Sequence, residues 1–295
     1  MSNELLDQFL SYIKFEKRLS ELTIKNYQND INRLLQVNDK KLTEFNSEDI
    51  RLSLSKLHAS GLSGKSLSRI LSSWMSCFLF LNKSQLMKYD PTSGIKAPKS
   101  QKKLPQTLSI DQVFNLINIP QTNFIDTRDR AILEFFYSSG LRLSELVNIH
   151  LGDIDTSEQT LKVLGKGNKF RIVPLGRKAI EALDLWILKR NKLNKHVDAE
   201  FLFLNQQGKK LTARAIQYRL KFWAQKNNIP ENIHPHLLRH TFASHVLQSS
   251  QDLRAVQELL GHSNISTTQI YTHLDFQHLS KIYDQAHPRS KKKID

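Results

Sequence analysis

The sequence predicts a mainly α-helical protein with one small antiparallel β-sheet, divided between a helical N-terminal domain and an α+β C-terminal domain. Three observations predict it. Apolar residues over the first ninety positions recur at helical spacing. A lysine- and proline-rich stretch then interrupts the pattern. Beyond it, a single β-rich run at 160–174 stands among further helical segments.

In the N-terminal part, Leu5, Leu6, Phe9, Leu10 and Ile13 fall on one helical stripe, and Ile24, Tyr27, Ile31, Leu34 and Leu35 on a second. Ile50, Leu54 and Leu57 make a third, which Gly61 can close as a left-handed cap. Leu67, Ile70, Leu71, Trp74, Phe78 and Leu81 make the fourth and most hydrophobic. Asp90-Pro91-Thr-Ser-Gly94 is turn chemistry. From Lys96 to Pro105 there is almost nothing to bury, and proline removes a backbone donor and disfavours helix before it, so an extended linker is expected. Its lysines suit it equally to lie along phosphates or simply in solvent. The expected boundaries are 1–95, a linker 96–106, and 107–295.

In the C-terminal part, Ser109-Ile-Asp-Gln112 has the form of a capping box opening a helix. A helix is expected from Thr127 to Ser139, ended by Gly140. Residues 160–174 read as two strands around a glycine-containing turn. Helical patterns resume at Lys178–Arg190 and Ala213–Ala224, and from Pro235 onward the chain reads as mostly helix, interrupted at Gly261.

Composition narrows the partners. The 295 residues hold 43 Lys and Arg against 28 Asp and Glu, a formal charge of +15. That surplus favours a polyanion such as nucleic acid, although a merely basic protein has the same arithmetic. The single cysteine, Cys77, excludes an intramolecular disulfide and lies at helical spacing among Trp74, Phe78 and Leu81, where a buried structural thiol is expected. The N-terminus lacks the layout of a signal peptide, and no apolar run approaches the roughly 20 residues that span a bilayer. A reducing, cytosolic compartment is expected.

Six residues could carry chemistry. Arg142 lies in Gly140-Leu-Arg-Leu-Ser-Glu145. Its planar fork suits phosphate oxygens, and Glu145, three residues on, could orient it if a helix begins there; a surface salt bridge is the competing reading. Lys166, between Gly165 and Gly167 in the hairpin turn, could act as a general acid or be an ordinary solvated turn lysine. Lys169 and Arg171, further along, are expected to touch DNA backbone or face solvent. Pro235 suits a helix N1 position, placing His236 and Arg239 on one face near the positive end of the helix dipole, where an anion is welcome. His234, His236 and His240 leave a zinc site open, though with no cysteine pair, and structural capping is a further alternative. His262 follows Gly261, the expected cap of the Leu253–Leu260 helix, and could instead be a packing histidine. Tyr271 is either a core residue or a nucleophile; with an ordinary pKa of about 10 it needs a cationic site to activate it.

Arg142, Lys166, His236, Arg239, His262 and Tyr271, taken in order, resemble the tyrosine recombinase family, whose members carry Arg, Lys, His-x-x-Arg, His or Trp, then Tyr. Gly140-Leu-Arg-Leu-Ser-Glu-Leu-Val147, Asp252-Leu-Arg-Ala-Val-Gln-Glu-Leu-Leu-Gly-His262 and Thr272-His-Leu-Asp-Phe-Gln-His-Leu279 look like its bacterial Xer branch.

The resemblance implies a SAM-like core-binding domain that clamps DNA, followed by a catalytic domain. It implies that Tyr271 attacks the scissile phosphate to form a 3′-phosphotyrosyl link. Arg142 and Arg239 would hold the non-bridging oxygens with His262, Lys166 would protonate the leaving 5′ oxygen, and His236 would assist proton transfer. No cofactor, metal or ATP is expected. The implied partners are double-stranded DNA at a dif-type site, a XerD-type recombinase in a heterotetramer, and an FtsK-type translocase as regulator. The stripe Phe276, Leu279, Ile282 and Tyr283 would pack on its own domain or, as in the family, dock on a neighbouring subunit. A phage- or integron-type integrase and a type IB topoisomerase share the chemistry and are the alternatives.

Overall fold

The computed structural model describes residues 2–38, 40–98, 107–165, 170–193, 198–229, 232–260, 283 and 286–288. The chain forms two compact units, Met1–Leu104 and Pro105–Asp295.

The α-helices among the described residues of the first unit are α1 (Ser2–Phe15), α2 (Glu21–Val37), α3 (Ser47–Ala59) and α4 (Gly64–Lys83). Three of them start on a side-chain cap: Ser20, Asn46 and Ser63 accept from the backbone N–H of Thr23, Asp49 and Ser66. Such a bond satisfies one donor that the first helical turn otherwise leaves open. Gly61, at φ +93°, closes α3 as expected, and the Leu62 N–H returns to the Leu57 carbonyl at 3.2 Å. The apolar stripes converge on one core in which Phe9, Leu34, Leu67, Ile70, Trp74, Phe78 and Leu81 are sealed from solvent. Cys77 is buried there, and burial pushes its thiol up to about 12, as suits an inert packing residue. Asp30 is also inside this core. It receives the fork of Arg69, the Ser73 hydroxyl at 2.8 Å and, at its carbonyl, the Trp74 indole N–H at 2.8 Å. Periodicity places Asp30 next to the core face but gives no reason to expect a buried carboxylate.

In the second unit, α5 (Ile110–Ile117) opens on the expected capping box: Ser109 accepts from the Gln112 N–H at 3.2 Å, and the Gln112 side chain accepts from the Ser109 N–H at 2.8 Å. The central helix α6 spans Phe124–Ser139. It begins three residues before the expected start because the Asn123 side chain caps it, accepting from the Asp126 N–H at 2.9 Å. Leu133, Phe135, Phe136 and Tyr137 of α6 are all buried, which makes this helix the spine of the unit.

After the short helix α7 (Leu143–Val147), β1 (Ile154–Asp155), β2 (Thr160–Leu164) and β3 (Phe170–Pro174) pair antiparallel in that order. The β2–β3 pair is the expected hairpin, with Val163 opposite Arg171 and Leu161 opposite Val173. Strand β1 has only two residues, too few for a periodic signal, and was not anticipated from sequence. The unit continues with α8 (Arg177–Arg190), α9 (Ala213–Lys226), α10 (Pro235–Ser250) and α11 (Leu253–Leu260), close to the expected spans. The break between α10 and α11 falls at Gln251, which is in the left-handed region at φ +56°.

Of the stripe Phe276, Leu279, Ile282 and Tyr283, the first three lie outside the described residues. Tyr283 packs on its own domain, together with Ala286 and His287. The Tyr283 ring stacks on that of His287, whose Nε2 lies 3.0 Å from the Tyr137 carbonyl. Gly176 admits this segment, since a Cβ there would stand 2.5 Å from the Tyr283 hydroxyl. Among the described residues, no helix is long and apolar enough to cross a membrane.

Candidate active site

The site grows from the end of α6. Gly140 takes φ +55°, the left-handed conformation that glycine adopts without strain, and its N–H returns to the Phe136 carbonyl at 3.1 Å. A side chain is excluded for a second reason, because a Cβ would lie 2.4 Å from Cδ1 of Phe242 on α10. This tight turn brings α6, α7 and α10 together and sets Arg142 immediately before the first turn of α7.

Glu145 is the pivot. Its Oε2 accepts the Arg142 backbone N–H at 2.8 Å, and its Oε1 accepts Nη1 of the Arg142 side chain at 2.8 Å. The expected orienting contact is therefore present, but Glu145 is buried rather than part of a surface pair. From β3, Arg171 closes a two-pronged fork on the same carboxylate, 2.8 Å from nitrogen to oxygen on each prong. Arg239 of α10 brings Nη1 to 4.0 Å from Oε2 and bonds the carbonyls of Gly140 and Leu260. Burial alone would raise Glu145; hydrogen bonds and charge from Arg171, with those from Arg142, outweigh it and hold the carboxyl down at about 2. Burial, with repulsion from Arg142 and Arg171 only partly offset by Glu145, brings Arg239 down to about 10, so it remains charged at neutral pH.

Arg171 corrects the sequence reading. It is neither solvent-facing nor free for DNA backbone; its side chain is 7% exposed. Hydropathy along β3 offers no hint of this, because it favours turning Phe170 and Ile172 inward, yet both are about half exposed. Directly paired residues share a face of a sheet. With Leu161 and Val163 buried on β2, their partners Val173 and Arg171 must point inward too, so the register carried the missing signal.

Pro235 occupies the first turn of α10 as expected. His234 caps that helix, its Nδ1 accepting from the Leu237 N–H at 3.1 Å, which is the capping role left open above. His236 is exposed beside it, while Arg239 on the next turn is buried. The structure thus brings Arg142 and Arg239 together around Glu145. Lys166, His262 and Tyr271 lie outside the described residues. The elements that flank them in sequence, β2, β3 and α11, are described, and β3 and α11 reach the cluster through Arg171 and the Leu260 carbonyl.

Among the described residues, three guanidiniums against one carboxylate leave a surplus of two positive charges at a turn where Arg142 keeps about a third of its side chain open. Such a site suits an oxyanion that gains charge during reaction. The phage integrase family profile matches residues 106–278, and that of the phage integrase N-terminal SAM-like domain matches residues 6–85. The chain belongs to the phage integrase family, the DNA strand-exchanging tyrosine recombinases. It is 46% identical over 292 residues to Tyrosine recombinase XerC of Pseudomonas fluorescens (strain Pf0-1), covering 97% of each chain. Among solved structures, XerA recombinase is 30% identical with a TM-score of 0.51, the match covering 98% of this chain and all of that one. XerH recombinase, bound to palindromic difH in a post-cleavage complex, shares the fold at a TM-score of 0.71 with 24% identity, over 96% of this chain and 84% of that one.

Proposed function

We propose that this recombinase is XerC-like: with a XerD-type partner in a heterotetramer, it cuts and rejoins DNA at a dif-type site to resolve chromosome dimers, regulated by an FtsK-type translocase. The observation that carries the chemical part is the pair of guanidiniums, Arg142 and Arg239, gathered around Glu145. The 46% identity to XerC over nearly the whole chain supports the choice of partner and site.

On this reading residues 1–95 clamp the duplex, 96–106 connect, and 107–295 catalyse. The part of the C-terminal segment between Tyr271 and Tyr283 serves as the docking element between subunits, since Tyr283, Ala286 and His287 pack in their own domain. The Tyr271 phenol oxygen attacks phosphorus as its proton departs, with His236 assisting that transfer. Arg142, Arg239 and His262 hold the non-bridging oxygens while negative charge builds on them. The bond to the 5′ oxygen breaks, and that oxygen takes a proton from Lys166. The 3′-phosphotyrosyl link conserves the phosphodiester, so a 5′ hydroxyl from another strand reverses the step without ATP.

The test is covalent trapping on a nicked dif-like duplex with a XerD-type partner, resolved on denaturing gels. An EDTA-resistant protein–DNA adduct that is lost in Tyr271→Phe is expected. Tight binding with no adduct would contradict the assigned site or the assigned nucleophile.

A further inference from the structure

The three guanidiniums around Glu145 are committed differently. Arg142 gives Nη1 to the carboxylate and remains partly open. Arg239 gives its terminal nitrogens to two backbone carbonyls. Arg171 gives both of its terminal nitrogens to Glu145, and its Nε is buried with no hydrogen-bond partner among the described residues. Two of its five N–H groups are thus spent on a charged partner, so a turn toward a phosphate would break the ion pair with Glu145, whereas Arg239 bonds neutral carbonyls and keeps its charge for an anion.

The fork is also a poor investment in stability. A buried ion pair is often matched or bettered by apolar side chains of similar volume, and an unpaired buried N–H adds cost. Its distinctive effect is geometric. Gripping both oxygens fixes the rotation of the Glu145 carboxylate, and each of those oxygens also holds Arg142, one through the side chain and one through the backbone. The fork further ties the paired strands β2 and β3 to the turn that carries Arg142.

We propose that Arg171 is a positioning residue, which acts through Glu145 to hold the Arg142 guanidinium in place for the scissile phosphate. This rests on the reading of Arg142 as a phosphate ligand. Arg171→Met removes the fork at similar volume, and Arg171→Lys keeps the charge but cannot grip both oxygens.

Single-turnover cleavage would be measured with the full chain and its partner recombinase on two nicked duplexes. One carries the natural scissile phosphate, the other a neutral methylphosphonate that needs less charge neutralisation. With DNA affinity within about threefold of wild type, Arg171→Met is expected to slow cleavage of the natural duplex by about 10- to 100-fold, the scale of a small misplacement in an active site. That deficit should shrink at least several-fold on the methylphosphonate, as should that of Arg142→Ala, and Arg171→Lys should fall between wild type and Arg171→Met. Should Arg171→Met not fold, the Arg171→Lys comparison across the two duplexes decides. Wild-type cleavage by the Arg171 variants would overturn the proposal. So would equal deficits on both duplexes while Arg142→Ala is relieved, because Arg171 would then be structural only. Relief in neither variant would remove the phosphate role of Arg142, and the positioning role with it.

Discussion

At the scale of single residues, the site is an exercise in holding like charges together. Glu145 sits among three arginines, and its carboxyl is held at about 2, well below its ordinary 4.5. A depressed carboxylate contributes stability that is complete above the unfolded value and lost as pH falls through the folded one. Glu145→Gln should therefore flatten the acid limb of stability between pH 4.5 and 2, read by thermal unfolding across that range. At neutral pH the same change strands the buried Arg171 fork and should cost about 3–5 kcal/mol. An acid limb as steep as wild type would sink this assignment. Gly140→Ala faces both a left-handed backbone and the Phe242 ring, so a loss of roughly 2–4 kcal/mol in urea unfolding is expected. Sequence reasoning found Arg142 and Glu145 from their spacing after Gly140 at an expected helix start, and Arg239 from its place three residues after His236 on a helix opened by Pro235. It misplaced Arg171 because a charged hairpin residue was expected to face outward, whereas its pairing with Val163 across the strands turns it inward.

At the scale of elements, what matters is which segments are locked by polar groups inside the core. In the N-terminal helices, Asp30 links α2 to Arg69, Ser73 and Trp74 of α4. Arg69 is about half exposed and can return to water, and the Trp74 indole bonds the Asp30 carbonyl rather than its side chain. Asp30→Ala should thus cost only about 1–3 kcal/mol, measurable by urea denaturation; a neutral result would mean the network does not fasten α2 to α4. In the C-terminal segment, His287 is completely buried beside Tyr137, Tyr283 and Phe242, and burial brings its imidazole down from 6.5 to about 3. His245 on α10 is lowered as well, for the same first reason. Here the folded state binds fewer protons than the unfolded state between pH 6.5 and 3, so stability falls as pH falls through that window. By pH 5 the loss from His287 should be about 2 kcal/mol. Melting temperatures at pH 7 and pH 5 should diverge in the wild type and less in His287→Phe; an unchanged difference would show that His287 is not what titrates.

At the scale of the whole molecule, a charge of +15 and membership of a DNA strand-exchanging family predict binding that weakens steeply with salt. If about six phosphates are neutralised, affinity should fall about a thousandfold between 50 and 200 mM salt, measured by fluorescence anisotropy on a dif-like duplex. A flat profile would contradict a phosphate-dominated interface. The amino-acid sequence alone determined the helical stripes of the N-terminal unit, the β2–β3 hairpin, the turn at Gly140 and the family, because each is written in local spacing or residue order. Only the tertiary structure decided that Glu145 is a buried pivot, that Arg171 closes on it from a strand 26 residues away, and that His287 and Tyr283 enter the core of their own domain. The physical reason is that local spacing records which face of an element a residue occupies. Which distant charge or ring meets that face depends on sheet register and helix packing, where burial makes an unpaired charge costly enough to select its partner.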